Sequence, residues 1–283
     1  MLGKLIKHEF RATRRVMLPL AAAVLLMAAL SGYSAIMLDR EVDYGALTWV
    51  FVLSVVVFAV LLMSICVVSV IIMIERFYKN LLGGEGYLMF TLPVSVDALI
   101  WAKLIVSFVW FCVTAIASML AMVLMGVVSA AFAFDAETIA RLWRGTADLF
   151  KLVGAGNIIA YIFEGLVLMF LFSVSMCLHF YLAMSIGQSF SNHKALYSVL
   201  AFFAISIVMS MLSTLMGQLT LSGDGFGQLS VVLDNISDSM SVDRAVFTGI
   251  HLVMLGLALT EAVTAAIYYI PTTLLLKKRL NLA

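Results

Sequence analysis

Six long runs of apolar residues constrain this chain more than any other feature of its sequence. A helix needs about 20 apolar residues to cross the hydrocarbon core of a bilayer, and each run is at least that long. The charged fraction is 12%, about half of what a soluble fold usually carries. The sequence therefore predicts an all-α integral membrane protein with six transmembrane helices. The predicted spans are about 17–38, 47–74, 98–132, 157–186, 196–216 and 248–276.

The even number of spans places both termini on the same side of the membrane. Cytoplasmic loops of membrane proteins carry an excess of Lys and Arg. With the N-terminus inside, 12 of the 17 Lys and Arg residues fall in cytoplasmic segments and five in outer segments. The Asp-rich connection at 217–247 falls outside. We therefore expect both termini to be cytoplasmic.

Two segments outside the spans combine apolar and charged residues at helical spacing. Residues 1–16 pair an apolar stripe with five cations, which is typical of a helix that lies in the headgroup layer. A positively charged flank of the first span would have the same composition, so both interpretations stay open. Residues 134–156 follow the same pattern and are predicted to lie at the outer membrane surface. The five cations are Lys4, Lys7, Arg11, Arg14 and Arg15.

Several classes of function are disfavoured by motifs that the sequence lacks. The net charge of +1 gives no basic field for nucleic acid. The Gly-rich phosphate loop followed by Lys-Ser/Thr is missing, so the chain is not expected to bind ATP by that route. Cys66, Cys112 and Cys177 lie isolated in apolar runs, unlike the closely spaced ligands of metal sites. We predict no catalytic residue, no metal site and no nucleic-acid partner.

Two carboxylates, Glu164 and Glu261, fall inside predicted spans. An ionisable residue at membrane depth costs about 3 kcal/mol on insertion scales and is a functional candidate by default. Both are therefore candidates for a translocation pathway. Glu261 could instead face hydroxyls of a neighbouring helix or be protonated and packed, and Glu164 could reach the interface. The histidines of the spans, His179 and His251, are expected to be hydrogen-bonded packing residues.

The segment RFYKNLLGGEGYLMFTLPVS, residues 76–95, differs from the spans on either side of it. It carries two cations, a carboxylate, three glycines, a proline and four aromatic residues. Aromatic anchors beside Arg are typical of protein–protein interfaces, and the glycines would end the helix. An ordinary interfacial loop with aromatics in the headgroup belt would share several of these features. The composition is compatible with either a docking element or such a loop.

The longer segment ERFYKNLLGGEGYLMFTLPVSVDALIWAKLI, Glu75 to Ile105, resembles the cytoplasmic loop of bacterial ABC export permeases of the six-span ABC-2 class. In that class the loop after the second span carries the coupling helix that docks into the ATPase subunit. The resemblance also fits an N-terminal interfacial elbow helix at 1–16 and a permease domain at 17–283, with the coupling loop at 75–95. Its specific motif covers about a tenth of the chain.

The resemblance implies an ATPase-docking role for a set of residues in this loop. Four would fill the groove of the ATPase: Phe77, Tyr78, Leu81 and Leu82. Three would pair with charges at its rim: Arg76, Lys79 and Glu85. Three would shape the turn: Gly83, Gly84 and Gly86. Two more belong to the same element: Asn80 and Tyr87.

The resemblance further implies a working unit of two permease chains, identical or paralogous, and two ATPase chains. ATP and Mg²⁺ would be bound by the ATPase, so this chain would carry no cofactor and would not be an enzyme by itself. The expected location is the bacterial cytoplasmic membrane, in contact with lipid. The strongly apolar spans favour a hydrophobic or amphipathic cargo, such as a peptide (for example an antimicrobial peptide) or a drug.

Two alternatives from other classes stay open. A stand-alone secondary transporter or channel would work without an ATPase, and would be indicated by several paired charges inside the membrane. An immunity protein that sequesters a peptide at the membrane would bind the peptide without transporting it. The 76–95 loop is the feature that favours the ABC export permease.

Overall fold

The computed structural model describes residues 2–39, 44–83, 94–133, 136–190, 192–222 and 242–278, and no strand occurs among them. Seven α-helices and one π-helical turn make up nearly all of these ranges. The helices are α1 (Leu2–Asp39), α2 (Tyr44–Phe77), α3 (Val96–Ala133), α4 (Ala136–Val153), α5 (Ala155–Gln188), α6 (Lys194–Ser222) and α7 (Val242–Lys278). The π turn, Tyr78–Leu82, follows α2 directly.

Six of the helices are long and apolar enough to cross a membrane. They contain stretches of 22 to 35 residues, each with an apolar window of 18 residues that holds at most two charged residues. Their outward surfaces carry many exposed large apolar side chains. In water such a surface would be strongly unfavourable, whereas lipid tails solvate it at no cost. The prediction of an all-α protein with six spans is therefore confirmed. The spanning stretches are Gly3–Ala35, Thr48–Leu82, Val96–Val128, Ala155–Gln188, Lys194–Leu215 and Val246–Lys277.

The N-terminal segment does not form a separate helix. The predicted boundary near residue 16 is absent, and α1 continues without a break from Leu2 to Asp39. No glycine interrupts residues 4–31, so hydrogen-bonded turns can run from the basic segment into the apolar one. Pro19 lies inside the helix but does not end it, although proline removes one backbone hydrogen bond. The placement of residues 1–16 in the headgroup layer stays a prediction.

Helix α4 is amphipathic, as the sequence predicts for 134–156, and ends at Val153. Its large apolar side chains are exposed, and the Trp143 side chain is the most exposed at 77%. Its charged side chains are also exposed and make only local contacts, such as the ion pair between Lys151 and Asp148. A helix with an apolar face that its own chain leaves uncovered is typical of the membrane interface. Its surface position stays a prediction.

The chain forms two compact units. Unit 1 comprises Met1–Arg76 and Asp97–Lys151. Its core is a cluster of buried apolar side chains from three helices: Met17, Val24 and Ala28 of α1, Phe58 and Ile65 of α2, and Val106, Trp110 and Ala121 of α3. Gly32 allows α1 and α3 to approach closely, because a Cβ there would lie 2.8 Å from the Val128 Cβ.

Unit 2 comprises Phe77–Val96 and Leu152–Ala283. In it, α5 packs against α6, α7 and the π turn. The buried side chains of α5 include Cys177, Leu178 and Tyr181. Close packing of α5 on α6 depends on Gly187, because a Cβ there would lie 2.6 Å from the Ser198 backbone nitrogen. Small residues at helix contacts are the usual means of close approach in membranes.

Candidate functional site

The predicted coupling segment begins where α2 changes to a π turn. The backbone N–H of Gly83 donates to the carbonyl oxygen of Tyr78 at 2.7 Å, which is the five-residue step of a π helix. Short π segments are rare and are often found at functional sites. A Cβ at Gly83 would lie 3.0 Å from the Lys79 carbonyl oxygen, so the turn favours glycine there. The helix therefore ends at the first of the predicted glycines.

Most of the side chains predicted to fill an ATPase groove are buried in this chain. Phe77 and Leu81 are fully buried, and Leu82 is 6% exposed. These three side chains pack within their own chain, and their assignment to an ATPase groove stays a prediction. Asn80 is also buried. Tyr78, at 44% exposure, is the aromatic residue of this turn that faces outward.

The Phe77 ring stacks on the ring of Tyr181 in α5. The ring centroids lie 3.7 Å apart and the planes are inclined by 8°. Tyr181 is itself fully buried, so two large side chains hold the start of the π turn against α5. Such a pair contributes about 1 kcal/mol beyond the burial of its area. The stack fixes the backbone from which Tyr78 and Lys79 project.

The remaining docking candidates divide into two groups. Lys79 is exposed beside Tyr78, whereas Arg76 is half-buried and lines a cleft with residues of α1. The predicted residues Gly84, Glu85, Gly86 and Tyr87 lie outside the described part of the chain. The exposed part of the predicted element, as far as the structure describes it, is therefore centred on Tyr78 and Lys79.

A buried ion pair lies next to Arg76 in unit 1. The Lys103 Nζ donates to Glu9 Oε1 at 2.8 Å, and the side chains are 6% and 8% exposed. The same ammonium donates to the carbonyl oxygen of Arg76 at 3.1 Å. The sequence shows Glu9 as an acid within a basic segment and Lys103 as a cation in an apolar run. Those two exceptions are the signal that could have suggested the pair.

The candidate pathway residue Glu164 has a partner that the sequence analysis missed. Both of its carboxylate oxygens lie within hydrogen-bond distance of His251 Nδ1 in α7, at 2.8 and 2.9 Å. The His251 ring stacks on Tyr161 with centroids 4.5 Å apart, and the Tyr161 hydroxyl donates to the Phe247 carbonyl oxygen. Spacings of three and four residues place these groups on facing sides of α5 and α7. The cluster ties the two helices together.

The other candidate, Glu261, accepts a hydrogen bond from the Ser175 hydroxyl of α5. Ser175 is buried, and Glu261 is half-buried. This contact corresponds to one of the sequence-based alternatives, in which the carboxylate meets a hydroxyl of a neighbouring helix. Glu164 and Glu261 thus contact the same helix pair. Their contacts on α5, at Glu164 and Ser175, are about 16 Å apart along the helix axis at a rise of 1.5 Å per residue.

His179 forms a further polar contact between helices of unit 2. Its Nε2 lies 3.1 Å from the Ser206 hydroxyl of α6, and its ring is packed edge-on to Phe202 and Tyr268. The expectation that His179 and His251 are hydrogen-bonded packing residues is therefore confirmed. Within the described ranges, no group of three or more His, Cys, Asp or Glu side chains is arranged to hold a metal ion.

Six apolar spans, with polar contacts between their helices, define the class: a multi-pass helical membrane protein. The family model described as ABC-2 family transporter protein matches residues 5–159, which is more than half of the chain. The chain belongs to this family, and so is a permease subunit of an ABC transporter. No curated protein and no solved structure matched the chain.

The match covers α1, α2, α3 and α4, and it includes the turn after α2. The resemblance read from residues 75–105 is confirmed by it. Membership identifies the chain as the membrane subunit of an ABC transporter, a subunit that is not itself catalytic, and it implies an ABC ATPase as the partner. The chain is thus a multi-pass membrane protein of known class.

Proposed function

We propose that this chain forms the translocation pathway of an ATP-driven exporter whose ATP hydrolysis takes place in a separate subunit. The observation that carries the proposal is the family match over 5–159, which includes the turn after α2. Two ATPase chains, with their ATP and Mg²⁺, would serve two permease chains that are identical or paralogous. Both termini would lie in the cytoplasm of a bacterium.

The proposed contact with the ATPase uses fewer exposed side chains of the turn than the sequence alone suggests, and it has a more rigid support. Tyr78 is exposed, and Lys79 beside it is exposed as well, while Phe77 and Leu81 anchor the turn from below. An aromatic side chain held on a rigid support loses little conformational entropy on binding. We assign Tyr78 as the central anchor and Lys79 as a rim charge, and we keep Gly84, Glu85, Gly86 and Tyr87 as predicted members of the docking element.

The proposed cargo is hydrophobic or amphipathic, a peptide or a drug, and the direction is outward. The low polarity of the spans supports this cargo class. In the described spans of unit 2, the acidic side chains are Glu164 and Glu261. We assign Glu261 as the first candidate to contact a cationic group of the cargo. Glu261→Gln keeps an oxygen that can accept from Ser175, so unchanged transport by a folded Glu261→Gln protein would exclude this role.

Co-purification tests the docking assignment directly. The permease is co-expressed with its cognate ATPase, and Tyr78→Ala is compared with Tyr33→Ala, a similarly exposed tyrosine. Alternation of the spans places residue 33 at the opposite membrane side from residue 78. We expect Tyr78→Ala to reduce the recovered ATPase at least tenfold, as loss of a 2 kcal/mol anchor would. Full recovery with Tyr78→Ala would overturn the assignment.

A further inference from the structure

A cleft of about 380 Å³ opens in unit 1, and its lining is strongly basic. Three of its residues are arginines, Arg11 and Arg15 of α1 and Arg76 at the end of α2, and the other two are His8 and Ala12. Positions 8, 11, 12 and 15 lie on one face of a helix. No acidic residue is among those that line the cleft. The cleft thus gathers positive charge from two helices.

Among the residues that the structure describes, the arginine side chains of the cleft have no counter-ion. In the part of the chain that the structure describes, the guanidinium groups of Arg11, Arg15 and Arg76 make no hydrogen bond or ion pair. Like charges four residues apart on a helix repel one another, so Arg11 and Arg15 disfavour the isolated helix. An anion in the cleft would remove that repulsion. The nearest acids in sequence are Glu9, which is buried against Lys103, and Glu75, which precedes Arg76 but does not line the cleft.

Both walls of the cleft are held in place from beneath. Lys103 of α3 donates to Glu9 of α1 at 2.8 Å and to the carbonyl oxygen of Arg76 at 3.1 Å. One buried ammonium therefore fixes the helix that carries Arg11 and Arg15 relative to the residue that forms the opposite wall. Groups fixed before binding lose less entropy when a ligand arrives. The helix that carries Arg11 and Arg15 and the backbone of Arg76 are therefore held in place before any ligand binds.

The cleft lies at the level where the apolar surface of the spans begins. Immediately after Arg15, the side chains of Val16 and Leu18 are exposed apolar groups of the kind that contacts lipid tails. On α2, the apolar run ends just before Glu75 and Arg76. We therefore expect both walls to lie at the depth of the lipid headgroups. Basic pockets at this level between helices are suited to anionic headgroups.

We propose that this cleft binds the phosphate group of an anionic phospholipid. Guanidinium groups bind phosphate oxygens through paired, charge-assisted hydrogen bonds, and three of them converge here. Inorganic phosphate shares this chemistry, but it lacks the acyl chains that would lie on the apolar surface below the cleft. A phospholipid would contact both parts of the site, the arginines with its phosphate and the apolar surface with its acyl chains. The proposal needs neither the ATPase nor a cargo, so it stands apart from the proposed function.

Native mass spectrometry of the full chain in a non-ionic detergent tests the proposal. Phosphatidylglycerol is titrated against native protein, Arg11→Gln/Arg15→Gln, and Lys7→Gln/Arg14→Gln. The control removes two cations from the same helix, at exposed positions that do not line the cleft. Each basic contact near an anionic surface is worth about a fivefold change in affinity. We expect the cleft variant to bind the tightest lipid at least tenfold more weakly, and the control within about twofold of native.

A third variant and two further ligands complete the test. Arg76→Gln, which alters the opposite wall, should also weaken phosphatidylglycerol binding about fivefold, and it serves if the double variant does not fold. Phosphatidylcholine and inorganic phosphate should bind at least tenfold more weakly than phosphatidylglycerol. Equal weakening in the cleft and control variants would overturn the proposal. So would saturation of the cleft by inorganic phosphate without any preference for the lipid.

Discussion

The ring of Phe77 lies 3.7 Å from the ring of Tyr181, stacked almost parallel to it. Phe77 closes the second span and Tyr181 lies near the end of the fourth, so the stack joins two spans at the base of the proposed docking turn. This contact ties the turn that carries Tyr78 to α5. The resemblance assigns Phe77 to the ATPase groove, and in the structure its ring packs inside unit 2.

Phe77→Ala should lower the stability of the permease, whereas Tyr78→Ala should not. Truncating the buried Phe77 leaves a cavity and removes the stack, so we expect the free energy of unfolding in detergent to fall by about 3 kcal/mol. Truncating the exposed Tyr78 should leave the free energy of unfolding nearly unchanged. Denaturant unfolding of the purified permease measures both. A Phe77→Ala protein as stable as native would contradict the buried position of this ring.

Loss of Lys103 should strongly destabilise unit 1. In Lys103→Met the buried carboxylate of Glu9 loses its counter-charge, which typically costs about 3–5 kcal/mol. Replacing both partners, as in Glu9→Leu/Lys103→Met, removes the unpaired charge and should recover much of that loss. Chemical unfolding of the three proteins gives the comparison.

The exposed ion pair of Lys151 and Asp148, with side chains 79% and 72% exposed, provides the control for that experiment. Lys151→Met should leave the unfolding transition unchanged, because exposed pairs of this kind contribute little. If Lys103→Met and Lys151→Met behave alike, the Glu9–Lys103 pair does not stabilise the fold.

The contact between Glu164 and His251 should appear as a coupling energy between α5 and α7. A double-mutant cycle uses Glu164→Leu and His251→Phe, the second of which keeps an aromatic ring against Tyr161. Interhelical hydrogen bonds in membranes contribute about 0.6 kcal/mol on average and up to about 1.7 kcal/mol. Because two carboxylate oxygens reach the same ring nitrogen, we expect a coupling of about 1 kcal/mol. Strictly additive effects of the two substitutions would show that the pair is not formed.

Two glycines of α5 should respond oppositely to alanine. A Cβ at Gly187 would lie 2.6 Å from the backbone nitrogen of Ser198 and 2.7 Å from the carbonyl oxygen of Lys194, so Gly187→Ala should force α5 and α6 apart and cost about 1–3 kcal/mol. Gly165 has open space around it, and Gly165→Ala should stabilise the helix by about 0.5–1 kcal/mol. The measurement is the melting temperature of each variant. Equal shifts in melting temperature would contradict the close approach of α5 and α6.

The spans could be predicted from the sequence because hydropathy is a local property. The fourth span was predicted at 157–186 and extends over Ala155–Gln188. The amphipathic stretch at 134–156 corresponds to a helix over Ala136–Val153 for the same reason. Residues 1–16 have a polar pattern distinct from the apolar run, but helical hydrogen bonding does not depend on that pattern, so no boundary forms there.

The contacts of the coupling segment could be predicted only in part from the sequence. Aromatic and aliphatic residues at helical spacing mark a buried face, but the pattern is the same whether the face meets another protein or the chain itself. Phe77 meets Tyr181, a residue of a different span. The partners of Glu9 and Glu164 are likewise 94 and 87 residues distant in sequence. Such pairings follow from helix packing, which hydropathy does not specify.

The most direct test of the central claim is transport in proteoliposomes that contain this chain with or without its cognate ATPase. The probe is a fluorescently labelled amphipathic peptide, and the measurement is its ATP-dependent movement across the bilayer. We predict that movement requires both chains and ATP, and that Tyr78→Ala reduces it at least tenfold while Tyr33→Ala does not. Equal movement without the ATPase, or peptide binding with no movement in its presence, would contradict the claim that this chain is the pathway of an ATP-driven exporter.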